Sequence, residues 1–148
     1  MQAYWLGMGF RVAGAPLVVP LEEVRELVYY PRTTPIPGCR TWLKGVANVR
    51  GRLMTVVDLG DFLTGSASPV RARSRVLGVR SEEVPVGLLL EHFAGLRHLR
   101  PGPEQAAAAP PRWLTPYTRG VVRDQEGDWH LLDLERLLQS PEFLRVAV

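Results

Sequence analysis

Three histidines, His92, His98 and His130, are the side chains best suited to move a proton or hold zinc near neutral pH. Their spacing supports neither role. His92 and His98 have no Cys or His companion at zinc-ligand spacing, and His130 stands alone. Cys39 is the single cysteine, so the chain can form no internal disulfide. With no neighbouring His to draw off its proton, it reads as a structural thiol rather than a nucleophile. Gly65-Ser66-Ala67-Ser68 lacks the second glycine of a nucleophile elbow. Gly7-Met8-Gly9 opens a β segment without the helix that would cradle a phosphate, and no P-loop occurs. Asp58 and Asp133 recur in similar surroundings. Paired carboxylates can perform acid–base chemistry, but each of these follows an apolar strand and opens a helix, where a capping oxygen is needed. The residues therefore predict no catalytic group, no metal site and no cofactor.

Composition narrows the remaining classes. At 148 residues, with 46% hydrophobic and 22% charged side chains, the chain can form one domain or two small lobes sharing a core. Net charge is +3 and the calculated pI about 9.5, which raises nucleic acid as a partner. Seventeen of the 18 basic residues are Arg, however, and they are scattered. The densest group, Arg71, Arg73 and Arg75, adjoins a Ser/Pro turn. A nucleic-acid-binding small β-barrel is the alternative reading. It should interleave aromatics with basic residues on one strand face, whereas Trp42, Phe62, Phe93 and Trp129 lie in apolar surroundings. Dispersed Arg suits acidic surfaces of protein partners. No apolar run approaches the roughly 18 residues of a membrane span, and residues 1–10 do not resemble a secretory signal. A cytoplasmic protein without membrane insertion is expected.

The elements are short β runs separated by turns. Residues 10–12 and 17–19 read as strands around Ala13-Gly14-Ala15-Pro16. Residues 21–30 read as a helix, with Leu21, Val24, Leu27 and Val28 on one face and Pro31 as its stop. Residues 45–50 and 53–57 form a hairpin around Arg50-Gly51-Arg52, after which Asp58 opens a helix to Leu63. A second hairpin joins 75–80 to 84–90, and the far end of the latter strand, where Leu89 is apolar too, is expected to be buried on both sides. Residues 91–99 fit helix or strand. Residues 101–112, with four prolines, read as a loop. A last hairpin, 120–123 with 129–132, precedes a helix over 133–139 and a further turn after Ser140-Pro141.

Shifting the sequence by 75 superposes Gly45-Val46 on Gly120-Val121, Asp58-Leu59 on Asp133-Leu134, and Leu63 on Leu138. Those are five identities in 19 positions, where about one is expected by chance. Trp42 also meets Tyr117, and Lys44 meets Arg119. Two similar β lobes follow, each curled to remove its edges. Neither has much core alone, so an apolar seam between them is expected.

Residues 42–59, Trp-Leu-Lys-Gly-Val-Ala-Asn-Val-Arg-Gly-Arg-Leu-Met-Thr-Val-Val-Asp-Leu, resemble the signature region of CheW-like coupling proteins. The likeness runs from about Gly9 to Leu138, and the wording of 42–52 is similar to the PilI branch of type IV pilus twitching motility. The resemblance implies a mainly β fold: two five-stranded SH3-like barrels with a few short helices, forming one domain over 1–148. Approximate lobes are 10–20 plus 75–148, and 21–74. It implies a non-catalytic adaptor at membrane-associated chemoreceptor arrays. The expected partners are a CheA-type histidine kinase and the cytoplasmic tip of a methyl-accepting chemoreceptor, the latter in the groove between barrels. Carried over to this sequence, Gly45, Val46, Asn48, Arg50 and Gly51 are the expected partner-binding residues. For Arg50, an internal bond to a carbonyl or to Asp58 is an equal expectation. PilI-like proteins often begin further upstream, which points to a missing N-terminal extension.

Overall fold

The computed structural model describes residues 5–81, 85–102 and 109–144. Its strands in chain order are β1 (Trp5–Val12), β2 (Ala15–Pro20), β3 (Val24–Tyr29), β4 (Thr33–Thr34), β5 (Leu43–Val49) and β6 (Arg52–Asp58). After helix α1 (Leu59–Thr64) come β7 (Arg75–Val79), β8 (Val86–Leu90), β9 (His92–Pro101), β10 (Thr118–Asp124) and β11 (Gly127–Leu132). Helices α2 (Leu134–Gln139) and α3 (Pro141–Leu144) follow.

Two sheets result. One is a closed barrel in the order β1-β2-β11-β10-β9; the other is six-stranded, in the order β3-β7-β8-β6-β5-β4. Their pairings correspond. In the barrel, β9 pairs antiparallel with β1, β1 with β2, β2 parallel with β11, and β11 antiparallel with β10. In the second sheet, β3, β7, β8, β6 and β5 repeat that series in the same senses. The difference is closure. β9 is ten residues long and reaches β10 through Val122 opposite Pro101. β3 has six residues, and the free edge of β5 is taken by the two-residue β4 instead.

The duplicated segments coincide residue for residue. β5 and β10, and α1 and α2, begin and end 75 positions apart. Each β5-like strand carries a register shift around the repeated glycine, Gly45 or Gly120. Asp58 N–H donates to the Trp42 carbonyl and Asp133 N–H to that of Tyr117, both at 2.7 Å. Each Asp caps its helix, accepting from Asp61 N–H at 3.1 Å or Arg136 N–H at 3.0 Å. The copies then diverge. Asp58 is fully buried and also accepts from the N–H and the hydroxyl of Ser68, both at 2.7 Å.

Three clusters fill the interior. Val18, Leu99, Val122 and Trp129 pack inside the barrel; Ala47, Met54, Val56, Val76 and Leu89 pack inside the curl of the second sheet. The largest cluster is the expected seam. It joins Phe10, Leu17, Val19 and Leu132 of the barrel to Val57, Leu77 and Leu88 of the other sheet.

Two expectations change and one open reading is settled. Residues 21–30 are not a helix: a single 3-10 turn at Leu21–Glu23 leads into β3. β-branched and aromatic residues favour that strand, and pairing with β7 sends Leu27 to the seam and Val28 to the second cluster. The ambiguous 91–99 stretch is strand β9. The lobes also divide elsewhere. β7 and β8 complete the second sheet, so the strands group as 5–20 with 92–132, and 24–90. The reason is pairing: β8 is held by β6 and β7 by β3. Residues 103–108 of the proline-rich stretch lie outside the described residues.

Candidate functional site

The candidate residues lie on the β5–β6 hairpin, and its register assigns each a different task. Val46 faces Thr55 and Asn48 faces Leu53 across the pair, so these four share one face. Ala47, Met54 and Val49 point the other way, into the second cluster. Leu53 is 67% exposed, the highest value among the large apolar side chains of the described residues. The hairpin therefore presents a short outward row of Val46, Asn48, Leu53 and Thr55, with Arg50 and Gly51 at its tip.

That tip is a two-residue turn with φ of 55° at Arg50 and 82° at Gly51, the mirror-type turn that matches strand twist. Asn48 fixes it by accepting the Gly51 N–H at 3.0 Å. Gly45 is a packing residue: its φ is 138°, and a Cβ there would collide with the Thr34 carbonyl. Arg50 projects into solvent with its side chain 76% exposed, and its guanidinium lies 3.8 Å from Glu26 on β3. The internal partner is thus Glu26, neither a carbonyl nor Asp58. Glu26 is only 12% exposed and lies across Gly78, where a Cβ would sit 2.8 Å from its Cγ. Sequence reasoning missed Glu26 because the pairing exists only once the second sheet curls. It also missed Leu53, whose outward position was available from alternation with Met54 and Val56.

The seam between lobes carries its own polar and aromatic contacts. Arg75 lies 4.1 Å from the ring centre of Tyr29 on β3 and 5.4 Å from that of Phe93 on β9, bridging the two sheets. Arg119 on β10 reaches Glu23 at 3.4 Å. Burial pushes the Glu23 carboxyl up; Arg119 opposes this, while Glu22 and Asp133 add to it. Trp42 and Phe62 meet each other at a ring separation of 5.0 Å; Trp42 stacks on Phe143 at 5.5 Å, and Phe62 meets Phe143 at 5.3 Å and Tyr117 at 5.9 Å, closing the seam.

The remaining titratable residues are dispersed. Among the described residues, no three of His, Cys, Asp and Glu come together as a metal site. His92 lies 3.6 Å from Glu91 and is exposed, as is His98. His130 is buried beside Leu17 with Nδ1 unpartnered; burial pushes its pKa down and Asp128 partly offsets this. Cys39 Sγ faces the Pro37 carbonyl at 4.0 Å and packs at the edge of the seam. No helix among the described residues is long and apolar enough to cross a membrane.

Comparison with known proteins places this architecture. Protein PilI of Pseudomonas aeruginosa is 41% identical over 146 residues, covering 97% of this chain and 81% of that one. Protein FrzA of Myxococcus xanthus is 32% identical over 147 residues, covering 93% and 88%. The crystal structure of the scaffolding protein TtCheW from Thermoanaerobacter tengcongensis superposes with a TM-score of 0.72 at 18% identity, covering 95% and 96% of the two chains. That likeness concerns the fold, and the identity to PilI sets the sequence with the PilI-like branch. Residues 6–142 match the family model of the CheW-like domain, and the chain belongs to that family.

Proposed function

We propose that this chain is a non-catalytic adaptor that couples a methyl-accepting chemoreceptor to a CheA-type histidine kinase, in a pathway controlling type IV pilus twitching. It acts in the cytoplasm at receptor arrays. Family membership and the identity to PilI support the reading. The observation that carries it to a surface is the β5–β6 hairpin. Its outward row and tip offer an apolar side chain, an amide and an exposed Arg held by one long ion pair to the largely buried Glu26. Gly45, Val46, Asn48, Arg50 and Gly51 form the partner-binding element. Gly45 and Gly51 set its shape, Val46 contributes to its outward face, Asn48 both fixes the turn and shares that face, and Arg50 supplies the charge.

Arg50→Ala tests this. At 3.8 Å the Arg50 guanidinium is too far from Glu26 for a hydrogen bond, and its own side chain is mostly in solvent, so the melting temperature should move little. A partner carboxylate held by the guanidinium fork contributes about 1.5–3 kcal/mol. Affinity for a CheA-type kinase or a receptor cytoplasmic fragment should therefore fall roughly tenfold or more. Unchanged affinity for both partners, with a lowered melting temperature, would mark Arg50 as a structural turn residue. Failure of the unmodified chain to bind either partner would refute the adaptor reading itself.

A further inference from the structure

Helix α3 is attached to the fold differently from α1 and α2. α2 has its counterpart in α1, but the positions 75 residues before α3 are the loop residues Ser66-Ala67-Ser68-Pro69, which form no helix. α3 is therefore an addition to the duplicated unit. Ser140 joins it to α2 in an extended conformation, with φ −66° and ψ 143°, as a residue before proline favours. The hydrogen bonds of the α3 turn return to that same residue. The Phe143 N–H donates to the Ser140 hydroxyl at 3.3 Å, and the Leu144 N–H to the Ser140 carbonyl at 3.0 Å. Among the described residues, no hydrogen bond or ion pair ties 141–144 to any other element.

One side chain holds it down. Phe143 is buried, while Pro141, Glu142 and Leu144 are exposed. The Phe143 ring stacks on Trp42 with an interplanar angle of 22° and meets Phe62 nearly edge-on at 74°. Trp42 and Phe62 both belong to the second lobe, so α3 carries an anchor from the end of the barrel's last helix across to its neighbour. The cleft is incompletely filled: Trp42, Phe62 and Tyr117, with the exposed Arg40 and Glu142, line a cavity of about 270 Å³ beside it. Burial of one phenyl ring is thus set against the ordering of four residues, two contributions of similar size. Local release of α3 is therefore far cheaper than unfolding of either lobe.

We propose that α3 is a releasable strap, and that the Trp42–Phe62 cleft it fills is a docking site for an aromatic side chain carried on a helical turn of a partner protein. The seated turn defines that occupant. Stacked and edge-on ring contacts select an aromatic anchor, and the unfilled volume beside Phe143 favours a competitor at least as large. Closed, the strap blocks the cleft; open, it leaves two aromatic rings for the partner to cover, and the partner's binding draws the equilibrium toward the open form. The cleft shares no residue with the outward row or the tip of the β5–β6 hairpin, so it stands whatever binds there.

The test is amide NMR of the full chain and of full-length Phe143→Ala, each titrated with the peptide Ser-Pro-Glu-Phe-Leu. Phe143→Ala should bind it, with shifts centred on Trp42, Phe62 and Tyr117. A strap closed about nine-tenths of the time lowers the apparent affinity of the intact chain about tenfold. The same peptide with Ala in place of Phe should shift neither protein. Hydrogen exchange on the intact chain needs no variant: the Phe143 and Leu144 amides should exchange at least about a hundredfold faster than those of the central strand β8. Equal affinity of the two chains, no binding by a folded Phe143→Ala, or α3 amides as slow as those of β8 would overturn the proposal. So would a dimer of the intact chain in sedimentation that Phe143→Ala abolishes, because the occupant of the cleft would then be a second copy.

Discussion

Removing the capping carboxylate from each lobe should have unequal consequences, and the inequality can be worked out beforehand. Asp133→Ala deletes one capping bond at a partly exposed position. Such losses cost about 1 kcal/mol. Asp58→Ala deletes the equivalent bond plus two 2.7 Å bonds from Ser68, at a site with no solvent exposure. It leaves a buried N–H and a buried hydroxyl without an acceptor, at about 1–3 kcal/mol each. Some relaxation is expected, so Asp58→Ala should cost about 3–5 kcal/mol. The gap between the two variants is then about 2–4 kcal/mol, or at least about 5 °C in melting temperature for a chain of this size. Urea denaturation with a common slope measures the gap directly. Because total stability is of order 5–15 kcal/mol, Ser68→Ala provides a milder control: it removes only the hydroxyl bond and should cost about 1 kcal/mol. If both Asp variants fall by the same amount within about 0.5 kcal/mol, the Ser68 bonds contribute nothing and the reasoning fails.

Two further outcomes are expected. Gly45→Ala should largely abolish folding, because its Cβ meets backbone at positive φ, whereas Gly51→Ala, with open space around it, should cost only about 1–2 kcal/mol; comparable yields and midpoints for the two would disprove this. His130 has a folded pKa below its usual 6.5, so the unfolded chain binds the extra proton. Stability should therefore fall as pH drops through 6.5 and level off below the folded value. His130→Leu should flatten that slope in thermal scans, and an unchanged slope would show that the burial of His130 carries no linkage.

How much of this was legible in the residues varies by element. The offset of 75 announced the duplicated hairpin and helix correctly because Gly45 and Gly120 share a positive φ, Asp58 and Asp133 both cap helices, and Leu63 and Leu138 both pack at the seam. The 21–30 stretch misled because Leu21, Val24, Leu27 and Val28 satisfy a helical spacing. In fact Val24 and Leu27 join the seam and Val28 the second cluster from a single twisted strand, while Leu21 belongs to the 3-10 turn before it. The division of lobes was not legible either. The similarity ends near Leu63 and Leu138, and only long-range pairing reveals which hairpin each lobe claims. Within the candidate site, the turn chemistry of Asn48, Arg50 and Gly51 could be read locally. The Glu26 contact could not, since it depends on how far the second sheet bends.

The matched series of pairings has a consequence for the chain's connectivity. β3, β5, β6, α1, β7 and β8 run as one continuous unit, while the barrel takes β9, β10, β11 and α2 from after that unit and β1 and β2 from before it. The barrel is thus a circular permutant of its neighbour: the same pairing scheme with the opening moved from one side of a hairpin to the other. Read around a closed circle, the sequence would be two tandem copies. Opening that circle after the β1–β2 hairpin would give each lobe its strands in one stretch. Opening it before that hairpin, as here, makes the parallel β2–β11 pairing the bond between the start and finish of the fold. The second lobe is thus joined to the barrel at both of its ends, β2 leading into it and β9 leading out, so a pull on it is shared by two crossings of the chain.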